Sequence, residues 1–410
     1  MKVPRRTFVL GGAGLILSST QLFALAARSA SSKKARPLGS SILVNVHLAG
    51  GNDGLNTVVP YGCGQYYSAR PNLCLRAPDL LPITGSLGLN PQLAGLHELF
   101  QRGCLAIVLG VGYPQASRSH FRSLDIWQTA EPDKILETGW LGRYIDQLDY
   151  DRKLEPRKFF PAINVDPMLP KSLAAQLPVP SISDLNQWRF NTDHHYQLGP
   201  QRRFETFNKI YRSYNLANLN SQLLNDIGLE AMQISHYLET GSHRYTNSVS
   251  YPENGFGRGM KFIAQMIVAG FASRVYNISL GGFDTHTNQG ETHPQLLRQF
   301  SETMTAFYKD LCFHNADNNV LLMAFSEFGR RLKENQEGGT DHGTAQPVFL
   351  MGTAVKGGLY GDHPNLTDLD GGDLKYGIDF RTIYATILDR WLDADAKLIL
   401  GGRFENLAFI

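Results

Sequence analysis

The chain is poor in charge. Asp, Glu, Lys and Arg make up 19% of its 410 residues and balance to a formal +2. More than that surplus sits at the N-terminus, in Lys2, Arg5 and Arg6 and then in Arg28, Lys33, Lys34 and Arg36, so the remainder is mildly acidic, with 32 basic against 37 acidic residues. A surface of this kind suggests no nucleic acid and no anionic membrane as a partner. Cysteine is scarce too: Cys63, Cys74, Cys104 and Cys312. Cys63 and Cys74 bracket a short loop and are a candidate disulfide, their spacing being too wide for the usual ligand pair of a zinc knuckle. Cys104 and Cys312 lie in apolar or helical patterns and read as core. There is no internal repeat and no low-complexity tract. Three motifs are also missing. Without a Gly-x-Ser-x-Gly elbow, a common serine hydrolase is disfavoured. Without Gly-x-Gly-x-x-Gly after the first strand, or a Gly-x4-Gly-Lys-Ser/Thr loop, so are dinucleotide and P-loop enzymes.

What is present begins with a leader. Arg5-Arg6 is followed by Thr7-Phe8-Val9-Leu10, a weakly apolar stretch to Ala26, and a small-x-small site at Ala24-Leu25-Ala26. Gly11, Gly12, Gly14 and the Ser18-Ser19-Thr20-Gln21 break keep the apolar run short of the roughly 20 residues that span a bilayer. The pattern predicts a twin-arginine signal peptide at 1–26, with the twin-arginine translocase as partner and a periplasmic or secreted destination. That route exports folded chains, often ones loaded with a metal or cofactor beforehand. No second run approaches membrane length, so no membrane span is expected in the mature chain. Residues 27–40 read as a linker, and 41–410 as one domain with an irregular insert at about 150–215.

Apolar content of 42% and 40 glycines suit a chain that buries a core and turns sharply at many strand ends. Strand-length apolar runs recur at 42–48, 105–111, 274–280, 319–325 and 347–352. Helical periodicity appears at 91–102, 215–240, 258–272, 293–314 and 380–392. Short continuous strands alternating with helices predict an α/β domain with a mostly parallel central sheet covered on both faces. Ligands of such sheets gather at the carboxyl ends of the strands. Asn52, Asp53, Asp284, His286 and Glu327 all fall there. The Pro-rich stretch 155–182 reads as an irregular lobe or cap.

Four clusters could carry chemistry. Gly50-Gly51-Asn52-Asp53-Gly54 leaves a carboxylate at a strand tip, or forms a plain Asx turn. Gly282-Phe283-Asp284-Thr285-His286 places a carboxylate and an imidazole where both can face one ion; His293, which opens a helical pattern, is expected on the surface. Asp341-His342 in a glycine-flanked loop is the most specific pair, with a surface Asp–His hydrogen bond as its bland alternative. Ser117-Arg118-Ser119-His120-Phe121 offers either a hydroxyl nucleophile or an N-cap at Ser119.

In order, Gly-Gly-Asn-Asp-Gly-Leu-Asn-Thr-Val-Val-Pro (50–60), Ser-His-Phe (119–121), Gly-Phe-Asp-Thr-His (282–286), Ser-Glu-Phe-Gly-Arg (326–330), Thr-Asp-His-Gly (340–343) and Val-Lys-Gly-Gly (355–358) resemble one bacterial family. It is the twin-arginine-exported family of unknown function numbered fifteen-oh-one, itself similar to the alkaline phosphatase/sulfatase superfamily. The resemblance implies a three-layer α/β/α fold and a divalent metal (zinc, calcium or manganese). It implies Asp53, Asp341 and His342 as ligands of one ion, Asp284 and His286 as ligands of a second, and Ser119 as nucleophile. The spacing of Asp284 and His286 is narrower than the superfamily's, and the last ligand has only His363 as a candidate. A one-metal, sulfatase-like site is therefore the better match. Under that mechanism His120 protonates the leaving group and Arg118 or Arg122 braces the anion. Two functions follow: a metal-dependent hydrolase of small anionic phosphate or sulfate esters, or a catalytically silent binding or assembly protein of the envelope.

Overall fold

The computed structural model describes residues 40–151, 160–182, 205–206, 209, 245–246, 248–271 and 273–410. The leader, nearly all of the linker and the 215–240 helical pattern lie outside the described residues. Among those residues no helix is long and apolar enough to cross a membrane.

One eight-stranded sheet organises the chain. Its strands are β1 (Ile42–Ala49), β2 (Leu105–Gly112), β3 (Ala162–Asn164), β4 (Val275–Gly281) and β5 (Val320–Phe325). A small separate hairpin, β6 (Arg330–Glu334) and β7 (Thr340–His342), comes next. The sheet is completed by β8 (Gln346–Met351), β9 (Gly358–Tyr360) and β10 (Ile378–Asp379). The order is β9-β2-β8-β5-β1-β4-β3, with β10 pairing the end of β2. The helices are α1 (Ala94–Gln101), α2 (His120–Thr129), α3 (Trp140–Asp151), α4 (Gly255–Val268), α5 (Gln289–Phe313), α6 (Phe380–Arg390) and α7 (Ala396–Leu400).

Alternation along each strand divides the core into two layers. Val44, Val46 and Leu48 of β1, with Ile107 of β2 and Ile278 of β4, pack with Leu96 of α1, Met260 and Ile263 of α4 and Phe300 and Phe307 of α5. Leu43, Val108 and Met323 face the other way, onto Trp127 of α2, Trp140 and Tyr144 of α3 and Tyr384 of α6. Successive strand residues point to opposite faces, so continuously apolar strands require helices on both sides. The result is a three-layer α/β/α fold with a mostly parallel central sheet.

Two details go beyond the sequence reading. All pairings in the sheet are parallel except those of β8, which runs antiparallel to β2 and β5. The chain between β5 and β8 contains only the β6–β7 hairpin; a parallel return needs a long crossover, usually a helix. The Pro-rich stretch also contributes to the sheet. Its residues Ala162–Asn164 form the edge strand β3, in register with Val275–Asn277.

Candidate metal centre

The carboxyl ends of β1, β4 and β5 and the β6–β7 hairpin meet at one place, and Arg330 holds them there. Its side chain is fully buried. It donates to the carbonyls of Gly50, Gly51, Phe283 and Thr340, and to Asp284 Oδ1 at 2.7 Å. Gly50 makes the approach possible: its φ is +121°, and a Cβ there would lie 2.3 Å from the backbone nitrogen of Asp284.

Around Asp284 three imidazoles converge. His342 Nε2 lies 3.0 Å and His286 Nε2 3.1 Å from Asp284 Oδ1, and the two ring nitrogens are 2.9 Å apart. His120 Nε2 lies 3.3 Å from Asp284 Oδ2. One ligand atom from each of His120, Asp284 and His342 falls within 4.8 Å of the others. Behind the rings stand acceptors. Glu327 Oε1 is 2.7 Å from His120 Nδ1, the Arg118 carbonyl is 2.8 Å from His342 Nδ1, and Asp341 Oδ1 is 3.5 Å from His286 Nδ1. A carboxylate or carbonyl facing Nδ1 fixes the proton on that nitrogen and leaves the Nε2 lone pair pointing inward, as imidazole ligands of metals are held.

These residues fit a divalent ion. Two Nε2 lone pairs at 2.9 Å repel unless a cation or proton lies between them. His120 Nε2 is buried and without a hydrogen-bond partner, its contact with Asp284 being close but misaligned for a hydrogen bond. The donor set, imidazole nitrogens with one carboxylate, suits zinc or manganese better than calcium, which takes oxygen.

The electrostatics agree. Burial works to raise the Asp284 carboxyl, but the hydrogen bond and charge of Arg330 outweigh it and hold it at about 2, so it is an anion at neutral pH. Glu327, 3% exposed, is opposed by burial yet driven well below the carboxylate range by hydrogen bonds from His120 and His47. The same Glu327 bond raises His120, whereas burial lowers His342.

The sequence-derived candidates divide accordingly. Asp284, His286, Asp341 and His342 are brought together, and His120 joins them as a ligand candidate instead of standing apart as an acid. Ser119 is exposed, occupies the N-cap position of α2 and makes no capping bond with its side chain. Asp53 is not in the cluster. It is fully buried, its Oδ2 taking Arg70 at 2.5 Å and Gln289 at 2.5 Å while Oδ1 accepts from the Leu55 N–H at 3.2 Å. Burial would raise its carboxyl, but the Arg70 guanidinium overrides this and keeps it low. In the structure Asp53, expected as a ligand, serves a buried ion pair with Arg70, apart from the histidine cluster. His293, expected at the surface, is 1% exposed and bonds Asn52 Oδ1 at 2.9 Å; burial pushes it down to about 4, so it is neutral. His363 makes a bond to the Pro364 carbonyl and is not part of the cluster. Cys63, Cys74, Cys104 and Cys312 are free thiols. Arg330 and His47 escaped the sequence reading; the one signal available for Arg330 was its place in Ser-Glu-Phe-Gly-Arg after β5.

Residues 110–401, from the last residues of β2 through α7, match the family described as a protein of unknown function, DUF1501. The chain belongs to that family. No curated protein matches this DUF1501 member. Among solved structures, a sulfatase from Pseudoalteromonas sp. is similar with a TM-score of 0.42 at 11% identity, covering 96% of this chain and 75% of its own. A protein in the alkaline phosphatase superfamily from Vibrio parahaemolyticus gives 0.39 at 8%, covering 88% and 69%. The phosphonate monoester hydrolase of Agrobacterium radiobacter gives 0.36 at 10%, covering 88% and 78%. At such scores and identities the likeness carries nothing about activity.

Proposed function

We propose that the chain is an exported, metal-dependent hydrolase of phosphate or sulfate esters. The observation that carries this is the convergence of His120, His286 and His342 on Asp284, with an acceptor behind each ring. A divalent ion held by these side chains would neutralise an ester oxygen and acidify a nearby hydroxyl or water. Glu327, the Arg118 carbonyl and Asp341 orient the imidazoles, and Arg330 positions Asp284. Ser119 precedes His120 at the N-terminus of a ten-residue helix. Its uncommitted hydroxyl is the nucleophile of this reading, and the free first-turn amides of α2 favour an anionic group beside it. The domain extends over 41–410, preceded by the leader and linker, with the twin-arginine translocase as export partner.

The test is metal content and turnover together. Purified mature protein should hold zinc or manganese, and Asp284→Ala and His342→Ala should lose it. Ser119→Ala should keep the metal and lose hydrolysis of aryl phosphates or sulfates. Metal retained with no turnover of any ester would support the silent envelope protein instead. A folded wild type that takes up no metal would refute the hydrolase.

A further inference from the structure

Four of the large apolar side chains exposed on the described surface, Phe121, Ile135, Met168 and Leu169, belong to three segments tied together at one residue. That residue is Asp125 on α2. Its Oδ2 accepts from Arg122 at 2.6 Å and its Oδ1 from Lys171 Nζ at 2.5 Å. Arg122 also donates to the carbonyls of Pro132 and Lys134, which brings Ile135 alongside. The Lys171 N–H bonds Gln128 at 2.8 Å, so the loop Pro167-Met168-Leu169-Pro170 ends against the helix face shared by Phe121, Asp125 and Gln128. Buried Asn164 holds that loop from beneath, donating to the carbonyls of Asp166 and Met168 at 3.2 and 2.9 Å. The backbone is anchored while the side chains are turned outward: Phe121 is 91% and Met168 81% exposed. Apolar side chains held outward on anchored backbone offer a surface for an apolar ligand.

Its position says what. Phe121 directly follows His120 of the metal centre. Arg118, two residues ahead of His120, has its carbonyl on His342, and among the described residues its guanidinium makes only a long 3.7 Å contact with Asp373. Arg122, by contrast, is consumed by Asp125 and two carbonyls. A guanidinium with only that long contact two residues before His120, and an exposed apolar side chain directly after it, match a molecule with an anionic head and a hydrocarbon body. We propose that the ester is an amphiphile, its phosphate or sulfate group bound by Arg118 at the metal centre and its apolar alcohol portion lying on Phe121, Met168 and Leu169. This rests on the hydrolase reading above and names its substrate class.

Calorimetric titration of metal-loaded protein with methyl, butyl and octyl phosphate tests it without turnover. Each methylene that reaches the surface should tighten binding by up to about fourfold, so octyl phosphate should bind at least tenfold more tightly than methyl phosphate. Phe121→Ser combined with Met168→Ser, both at exposed positions that folding tolerates, should collapse that ratio with metal content unchanged. Arg118→Gln should weaken all three ligands by a similar factor. Equal affinity across chain lengths, or a ratio that survives the double substitution, overturns the amphiphile. Should no alkyl phosphate bind, the inference also fails, and the metal analysis then shows whether the hydrolase reading falls with it.

Discussion

Glu327→Gln separates the scaffold of the proposed metal centre from its ligand candidates. Glu327 is not itself among those candidates. It joins His120 Nδ1 at 2.7 Å to His47 Nε2 at 2.9 Å, and it accepts the Gly50 N–H. Glutamine keeps the shape but supplies only one acceptor oxygen. If that oxygen stays on His120, the amide faces His47, which must then accept. If it turns to His47, the amide donates to His120 Nδ1, shifting the ring proton to Nε2, where it blocks a ligand. Either way the charge that raises His120 basicity is gone. Loss of a carboxylate behind a ligand imidazole typically weakens metal binding by about 10- to 100-fold, or about 1.4–2.8 kcal/mol. Competition with a chromogenic chelator would measure zinc affinity in wild type, Glu327→Gln and His120→Ala. The expected order is wild type tightest, Glu327→Gln weaker by that factor, and His120→Ala weakest. Zinc affinity unchanged in a folded Glu327→Gln protein would refute the assignment of His120 as a ligand oriented by Glu327.

Three other expectations concern separate parts of the molecule. Removing Arg70 leaves Asp53 buried and unpaired, so Arg70→Ala should destabilise by about 3–5 kcal/mol in denaturant titration, while Asp53→Asn should keep its full metal complement; loss of metal from folded Asp53→Asn would return Asp53 to the ligand set. Burial pushes the Asp166 carboxyl up to about 6 despite a hydrogen bond from Ser279. A raised carboxyl favours the protonated fold, so this contribution is present below pH ~4 and lost as pH rises through about 6. Asp166→Asn should therefore add up to about 3 kcal/mol at pH 7 and little at pH 4, and an equal gain at both pH values would count against it. Replacing Arg5 and Arg6 by Lys should leave the chain in the cytoplasm, as cell fractionation would show, and undiminished export would exclude the twin-arginine route.

Much of the fold was legible in the sequence because strands covered on both faces are apolar without interruption, and such runs stand out between helical periods. Their order in the sheet was not. The reversal of β8 depends on what connects it to β5, and no local propensity records that direction. The site shows the same division. Asp284, His286, Asp341 and His342 were visible because a carboxylate and an imidazole in a glycine-rich strand exit have no packing reason to be there. His47 was not singled out inside Ile42-Leu43-Val44-Asn45-Val46-His47-Leu48, since a run read as apolar hides the two polar groups, Asn45 and His47, that share one of its faces.

The sequence by itself determined which residue types stand at the ends of the strands and how sharply the backbone turns there. The tertiary structure alone decided which of them share a charge. Asp53 and Asp284 both follow a strand and a glycine turn, and nothing nearby in the chain separates them. Arg70 takes the first wholly into the interior, whereas Arg330 binds only Oδ1 of the second and leaves it half open beside three imidazoles. Asp53 is thereby a closed counter-ion while Asp284 keeps an open oxygen, and each outcome is set by an arginine outside the local motif that only the fold brings to it.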